Sequence, residues 1–131
     1  VPRLRVASPY LLAALLTIAG AAHFLFPEPF DRIIPGFVPG PPRFWTYASG
    51  VVEWACAAGL VPAATRRRAA TSTAVLFVAV FPANIDQAVH THGAGRWLAL
   101  ARLPLQVPLV LWALRLRRTT AAPLANAASG R

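Results

Sequence analysis

The chain has 131 residues, 56% of them hydrophobic and only 13% charged, with a mean hydropathy of +0.52. A soluble domain carries about a quarter charged residues, so this composition excludes a soluble globular core and points to one integral membrane domain. Thirteen arginines and no lysine give a net charge of +9, but they fall in clusters between apolar blocks, a pattern that orients a membrane protein and argues against a nucleic-acid partner.

Taken in chain order, the apolar blocks predict four membrane spans. The first, 7–26, has no charge and one polar ring, His23, near its end. A cleaved signal peptide is the weaker alternative, because no convincing small-x-small cleavage site precedes Phe26-Pro27 and three more spans follow. Residues 27–43 then hold Pro27, Pro29, Pro35, Pro39, Pro41 and Pro42, so no regular helix can run throughout. Phe30, Ile33, Ile34, Phe37 and Val38 make the same segment too apolar for a solvated linker. It reads as an ordered, partly interfacial cap, with a rigid connector as the alternative.

The second span, 44–63, contains a single charge, Glu53, and the lone cysteine, Cys56. One cysteine allows no intrachain disulfide and reads as a small packing residue. A short turn around Thr65 leads to the third span, 69–88, which carries Pro82, Asn84, Asp86 and Gln87 late. The fourth, 98–114, carries Arg102, Gln106, Pro104 and Pro108. These prolines are expected to interrupt and kink spans three and four, each freeing a carbonyl one turn earlier. Residues 1–118 form one four-span domain, and 119–131 read as a disordered tail. The fold class is all-α: a four-helix transmembrane bundle with a Pro-rich outer cap between helices 1 and 2.

Arginines alternate strictly between the two ends of these spans. Arg3, Arg5, Arg66, Arg67, Arg68, Arg115, Arg117, Arg118 and Arg131 lie on one side, against Arg32, Arg43 and Arg96 on the other. The positive-inside rule then places both termini of a multi-pass protein in the cytoplasm, its excess charge meeting anionic headgroups. All-arginine basic residues and heavy alanine usage suit a GC-rich bacterial genome, so a bacterial inner membrane is expected.

Glu53 is the costly residue. On a helix it lies ~13 Å from the start of its span, near the middle of a ~30 Å hydrocarbon layer. A carboxylate there costs ~2.5–3.5 kcal/mol on insertion scales. The topology gathers His23, Glu53, Asn84, Arg102 and Gln106 in one half of the bundle, beneath the Pro-rich segment. A Glu53–Arg102 pair is the expected solution, since a guanidinium can grip a carboxylate bidentately. Register-setting polar contacts, or a protonated Glu53, are the plainer alternatives. Trp54 sits too deep for an interfacial belt and is either core packing or a pocket wall beside Glu53. His90 and His92 lack the spacing of a structural metal site, and no metal is expected.

Four stretches in register resemble the DoxX-like family of small membrane proteins. They are His23-Phe24 with Pro27 and Phe30 through Ile33-Ile34-Pro35; Ser49-Gly50 with Glu53; Phe81-Pro82-Ala83-Asn84-Ile85; and Arg102-Leu103-Pro104-Leu105-Gln106. The resemblance covers nearly the whole chain except the tail. It implies a compact four-helix membrane protein whose relatives are quinone-linked, for example as subunits of thiosulfate:quinone oxidoreductase, or act in animals as receptor-assembly chaperones. On that reading the protein is a redox-associated subunit, at most part of a quinone-linked oxidoreductase with a membrane or peripheral partner. A quinone or similar amphipathic molecule would then occupy a pocket formed by His23, Glu53, Trp54, Asn84, Arg102 and Gln106. The alternatives are a non-enzymatic assembly factor and a lipid-like ligand binder.

Overall fold

A computed structural model describes residues 2–119 as six helices: α1 (Pro2–Leu25), α2 (Pro27–Asp31), α3 (Pro42–Leu60), α4 (Ala63–Ala79), α5 (Phe81–His90) and α6 (Ala94–Thr119). Among the described residues there is no strand. All but the first residue of the expected tail lies outside them. Three segments are long and apolar enough to cross a membrane: Arg5–Leu25, Ala63–His90 and Ala94–Thr119. The remaining expected span, α3, has 19 residues, about 28 Å of helix. It is not among the three, because Arg43, Thr46, Tyr47, Ser49 and Glu53 concentrate polarity in its first two thirds.

The helices pack in the order α1–α3–α4–α6, with α5 against α6 and α2 against α3. Trp112 Nε1 donates to Ser8 Oγ at 2.7 Å and ties α6 back to α1. The third apolar segment is broken at Val80, the junction between α4 and α5. Pro82 falls in the first turn of α5, where a missing N–H costs nothing. Pro104 and Pro108 behave otherwise. They lie within an uninterrupted α6 and do not end it, contrary to the expected interruption. Each removes one donor from the ladder while the surrounding turns hold the helix together.

The end carrying most arginines is closed by side chains on backbone. Arg66 donates from Nε to Leu60 O at 2.8 Å and from Nη2 to Val61 O at 2.6 Å, and Thr65 Oγ1 donates to Gly59 O at 2.7 Å. These bonds satisfy the last carbonyls of α3 and set a cation against its negative end. Above them lies a core of small and aliphatic residues, including Leu12, Leu16, Cys56, Ala57, Leu60, Ala70, Ala74 and Ala113. Small residues let helix backbones approach, the main source of helix association in lipid.

Helices α1 and α3 approach closely at two glycines. A Cβ on Gly20 would stand 2.6 Å from Trp54 and 3.0 Å from Gly50 O; one on Gly50 would stand 2.7 Å from Phe24 and 3.0 Å from His23 Cβ. Neither position has room for a side chain. Gly50→Val should therefore destabilise the bundle by about 1–3 kcal/mol, read as a lowered unfolding midpoint in detergent. Gly36→Ala, with nothing within 4 Å, should leave that midpoint unchanged. Equal behaviour of the two variants would remove the close crossing as a stability determinant.

Candidate binding site

At the opposite end, where α1 runs into α2, the helices leave a cavity of about 190 Å³. Its polar lining comes from His23 on α1, Thr46, Ser49 and Glu53 on α3, Asn84 on α5 and Arg102 on α6. Phe30, Ile33 and Ile34 supply an apolar wall from the Pro-rich segment. Thr46, Ser49 and Glu53 stand at i, i+3 and i+7, so one face of α3 delivers all three. Side chains on a helix lean toward its N-terminus. In this antiparallel pair, that tilt turns His23 and Glu53 toward each other across the glycine crossing.

His23 is the partner that Glu53 has. Its Nδ1 lies 3.1 Å from Glu53 Oε2 and 2.7 Å from Ala19 O. A carbonyl only accepts, so Nδ1 carries a proton and directs it to Ala19. Glu53 Oε2 stays within ion-pair distance but outside that N–H direction, and it is buried with no hydrogen-bond partner. The His23 ring also stacks on Phe30, centroids 3.8 Å apart, tying it to the apolar wall.

The expected Glu53–Arg102 pair is replaced by other contacts. Arg102 Nη1 donates to Gln87 Oε1 at 3.1 Å, between α6 and α5. The reason is helix order: α4 lies between α3 and α6, so the two residues face one cavity from separate walls. Gln106 sits behind that wall. Its Oε1 accepts from Asn84 Nδ2 at 3.3 Å, and its Nε2 donates to Phe77 O beside the Val80 break. A side chain thus satisfies backbone at a proline-associated break, as membrane helices require.

Trp54 lies elsewhere. It is 43% exposed and donates from Nε1 to Thr17 O at 3.1 Å, lining an outer groove with Tyr10, Ala13 and Ala58. It is therefore no wall of the cavity beside Glu53. One residue along a helix is a turn of about 100°, so neighbours cannot share a face. His90 sits on the α5–α6 side, exposed, 3.3 Å from Asp86.

Two residues that sequence reasoning missed hold the apolar wall in place. Thr46 is fully buried and donates from Oγ1 to Asp31 Oδ1 at 2.6 Å, while Arg43 Nε donates to Asp31 Oδ2 at 2.8 Å. The spacing of Thr46 with Ser49 and Glu53 was the available signal for Thr46. Asp31 offered none, because its partners are 12 and 15 residues away. The Thr46 hydroxyl first, and then the Arg43 guanidinium, hold the Asp31 carboxyl below the usual carboxylate range against the opposing effect of desolvation.

Residues 12–117 match the family model described as a domain of unknown function, DUF8561, and the chain belongs to that family. No curated protein and no solved structure matches it.

Because Asp31 is held below its ordinary value, its clasp is at full strength above about pH 4 and is lost as pH falls through the lowered value. Hydrogen exchange of residues 32–38, corrected for intrinsic rates, should stay flat from pH 8 to 5 and rise at the acid end. Asp31→Asn should raise it several-fold at pH 7 and abolish the acid step. Unchanged protection in that variant would rule out the clasp.

Proposed function

We propose that the cavity holds the head of a quinone or a similar amphipathic molecule, in a four-span protein of the bacterial inner membrane that serves a redox-associated assembly. On this reading α3 is the fourth spanning helix, and the segment between α1 and α3 is a cap over the periplasmic end. The alternation of arginines supports cytoplasmic termini. The DoxX-like motifs support the ligand class, since His23, Glu53, Asn84 and Arg102 all come from them and all line the one cavity.

The carrying observation is that cavity: an ionisable pair, an amide and a guanidinium around about 190 Å³, closed on another side by Phe30, Ile33 and Ile34. Ligand sites usually span about 300–1,000 Å³, so the space suits a head group whose tail stays in lipid. Arg102 would polarise a ring carbonyl. Glu53, its Oε2 buried and short of a hydrogen-bond donor, would exchange a proton with the ligand oxygen. Intramembrane ionisable residues that face a cavity are functional by default.

Purification in native lipid, followed by mass spectrometry of the extract, should recover a quinone in near-stoichiometric amount. A decyl-benzoquinone should bind the purified protein, and Glu53→Gln and Arg102→Leu should each weaken it about 10-fold, roughly 1.4 kcal/mol. The double variant should lose less than the sum, because both groups hold one ligand. A different amphiphile in the extract would favour the lipid-like binder. Absence of any ligand, together with an undisturbed partner protein in Glu53→Gln pull-downs, would favour the assembly factor.

A further inference from the structure

Charge is distributed very unequally in this molecule. All four acidic residues, Glu28, Asp31, Glu53 and Asp86, lie toward the α2 end or inside the bundle. At the other end, Arg67 on α4 and Arg117 and Arg118 on α6 line a single cavity of about 330 Å³ with no acid in its wall. Among the described residues none of the three guanidinium groups makes a hydrogen bond or ion pair with another side chain; Arg67 takes part only through its backbone carbonyl, which accepts from Thr71 Oγ1. Arg66, their neighbour, is committed to the carbonyls of Leu60 and Val61. Three like charges gathered with no carboxylate among them repel one another, and an anion there would relieve that repulsion.

A second cavity, of about 400 Å³, adjoins the first through Leu114 and Arg117 and runs along the seam between α4 and α6. Its α4 side is a stripe at helical spacing, Thr71, Val75 and Val78, continuing upward from Arg67; its α6 side is Val110 and Leu114, leading down to Arg117. Val75 and Val78 are more than half exposed. From Arg67 to Val78 the seam rises about 16 Å, the depth of one leaflet of a ~30 Å hydrocarbon layer. Cationic head pocket and apolar seam thus form one continuous feature, with its charge at one end and a leaflet's length of aliphatic surface above.

We infer that the α4–α6 seam is a specific site for an anionic phospholipid, with the phosphate among Arg67, Arg117 and Arg118 and one acyl chain along Val75, Val78 and Val110. Basic pockets between helices on the cytoplasmic side of a membrane take such headgroups, whereas general attraction of arginines to a charged surface needs no seam. The site rests on the membrane orientation proposed above but not on the quinone cavity.

The test is native mass spectrometry and titration of the whole protein in detergent with dioleoylphosphatidylglycerol and dioleoylphosphatidylcholine. One phosphatidylglycerol should bind per chain with at least a 10-fold preference over phosphatidylcholine. Replacing Arg67, Arg117 and Arg118 together by Gln should cut that preference to below 3-fold. Replacing Arg3, Arg5 and Arg115 by Gln removes the same charge from the same end and should leave it intact. Ala79→Phe, which fills the seam, should weaken phosphatidylglycerol while sparing the thermal midpoint. Glu53→Gln should change nothing, which separates this site from the quinone reading. Equal losses in the two triple variants, displacement of the lipid by millimolar inorganic phosphate, or equal binding of the two lipids would each overturn the site.

Discussion

The close crossing of α1 over α3 at Gly20 and Gly50 is the constraint on which the rest of this molecule depends. In lipid, helices gain little by hiding apolar surface from a solvent that is equally apolar, so contact must come from packing and polar bonds. Two glycines meeting across the interface let the backbones approach until His23 Cβ lies against Gly50. That proximity brings the imidazole within 3.1 Å of Glu53. A bulkier residue at either glycine would part the helices and draw His23 away from Glu53.

From that crossing the structure divides into two halves with different chemistry. Toward the arginine-rich end, alanines, leucines and Cys56 pack without a polar partner deeper than Thr73, whose hydroxyl returns to Ala69 O. Toward the α2 end, α1, α3, α5 and α6 each contribute hydrogen-bonding groups to the cavity, and the apolar Phe30–Ile34 stretch is pinned by Asp31 to Thr46 and Arg43. The half with the cavity is held by side-chain bonds that a ligand or a proton can exchange.

Much of this was legible in the sequence because membrane burial imposes long apolar blocks and makes polar exceptions conspicuous. His23, Glu53, Asn84 and Arg102 stood out as exceptions, and they do meet at one cavity. Pairing was not legible. Whether Glu53 meets Arg102 or His23 depends on which helices are neighbours, and α4 separates α3 from α6. The effect of proline was legible only in part: Pro82 coincides with a break and Pro104 and Pro108 do not. Trp54 shows the limit of depth as a criterion, since rotation about the helix axis, not depth, decides what a side chain faces.

The state of the ionisable pair follows from counting donors. His23 Nδ1 spends its proton on Ala19 O, which leaves Glu53 Oε2 beside the ring but without a hydrogen bond. A buried acceptor left in that condition costs about 1–3 kcal/mol, more when charged. Two arrangements remove the cost. Glu53 can hold a proton and donate it, which suits a ligand presenting a carbonyl oxygen. Or it can stay ionised and accept, which suits a ligand presenting a hydroxyl. On the proposed reading, a quinone and its reduced quinol would present these two faces in turn, and the unsatisfied Glu53 oxygen is where such a ligand would bond. A ligand with only one of these faces would satisfy Glu53 in one protonation state and leave the other unpaired.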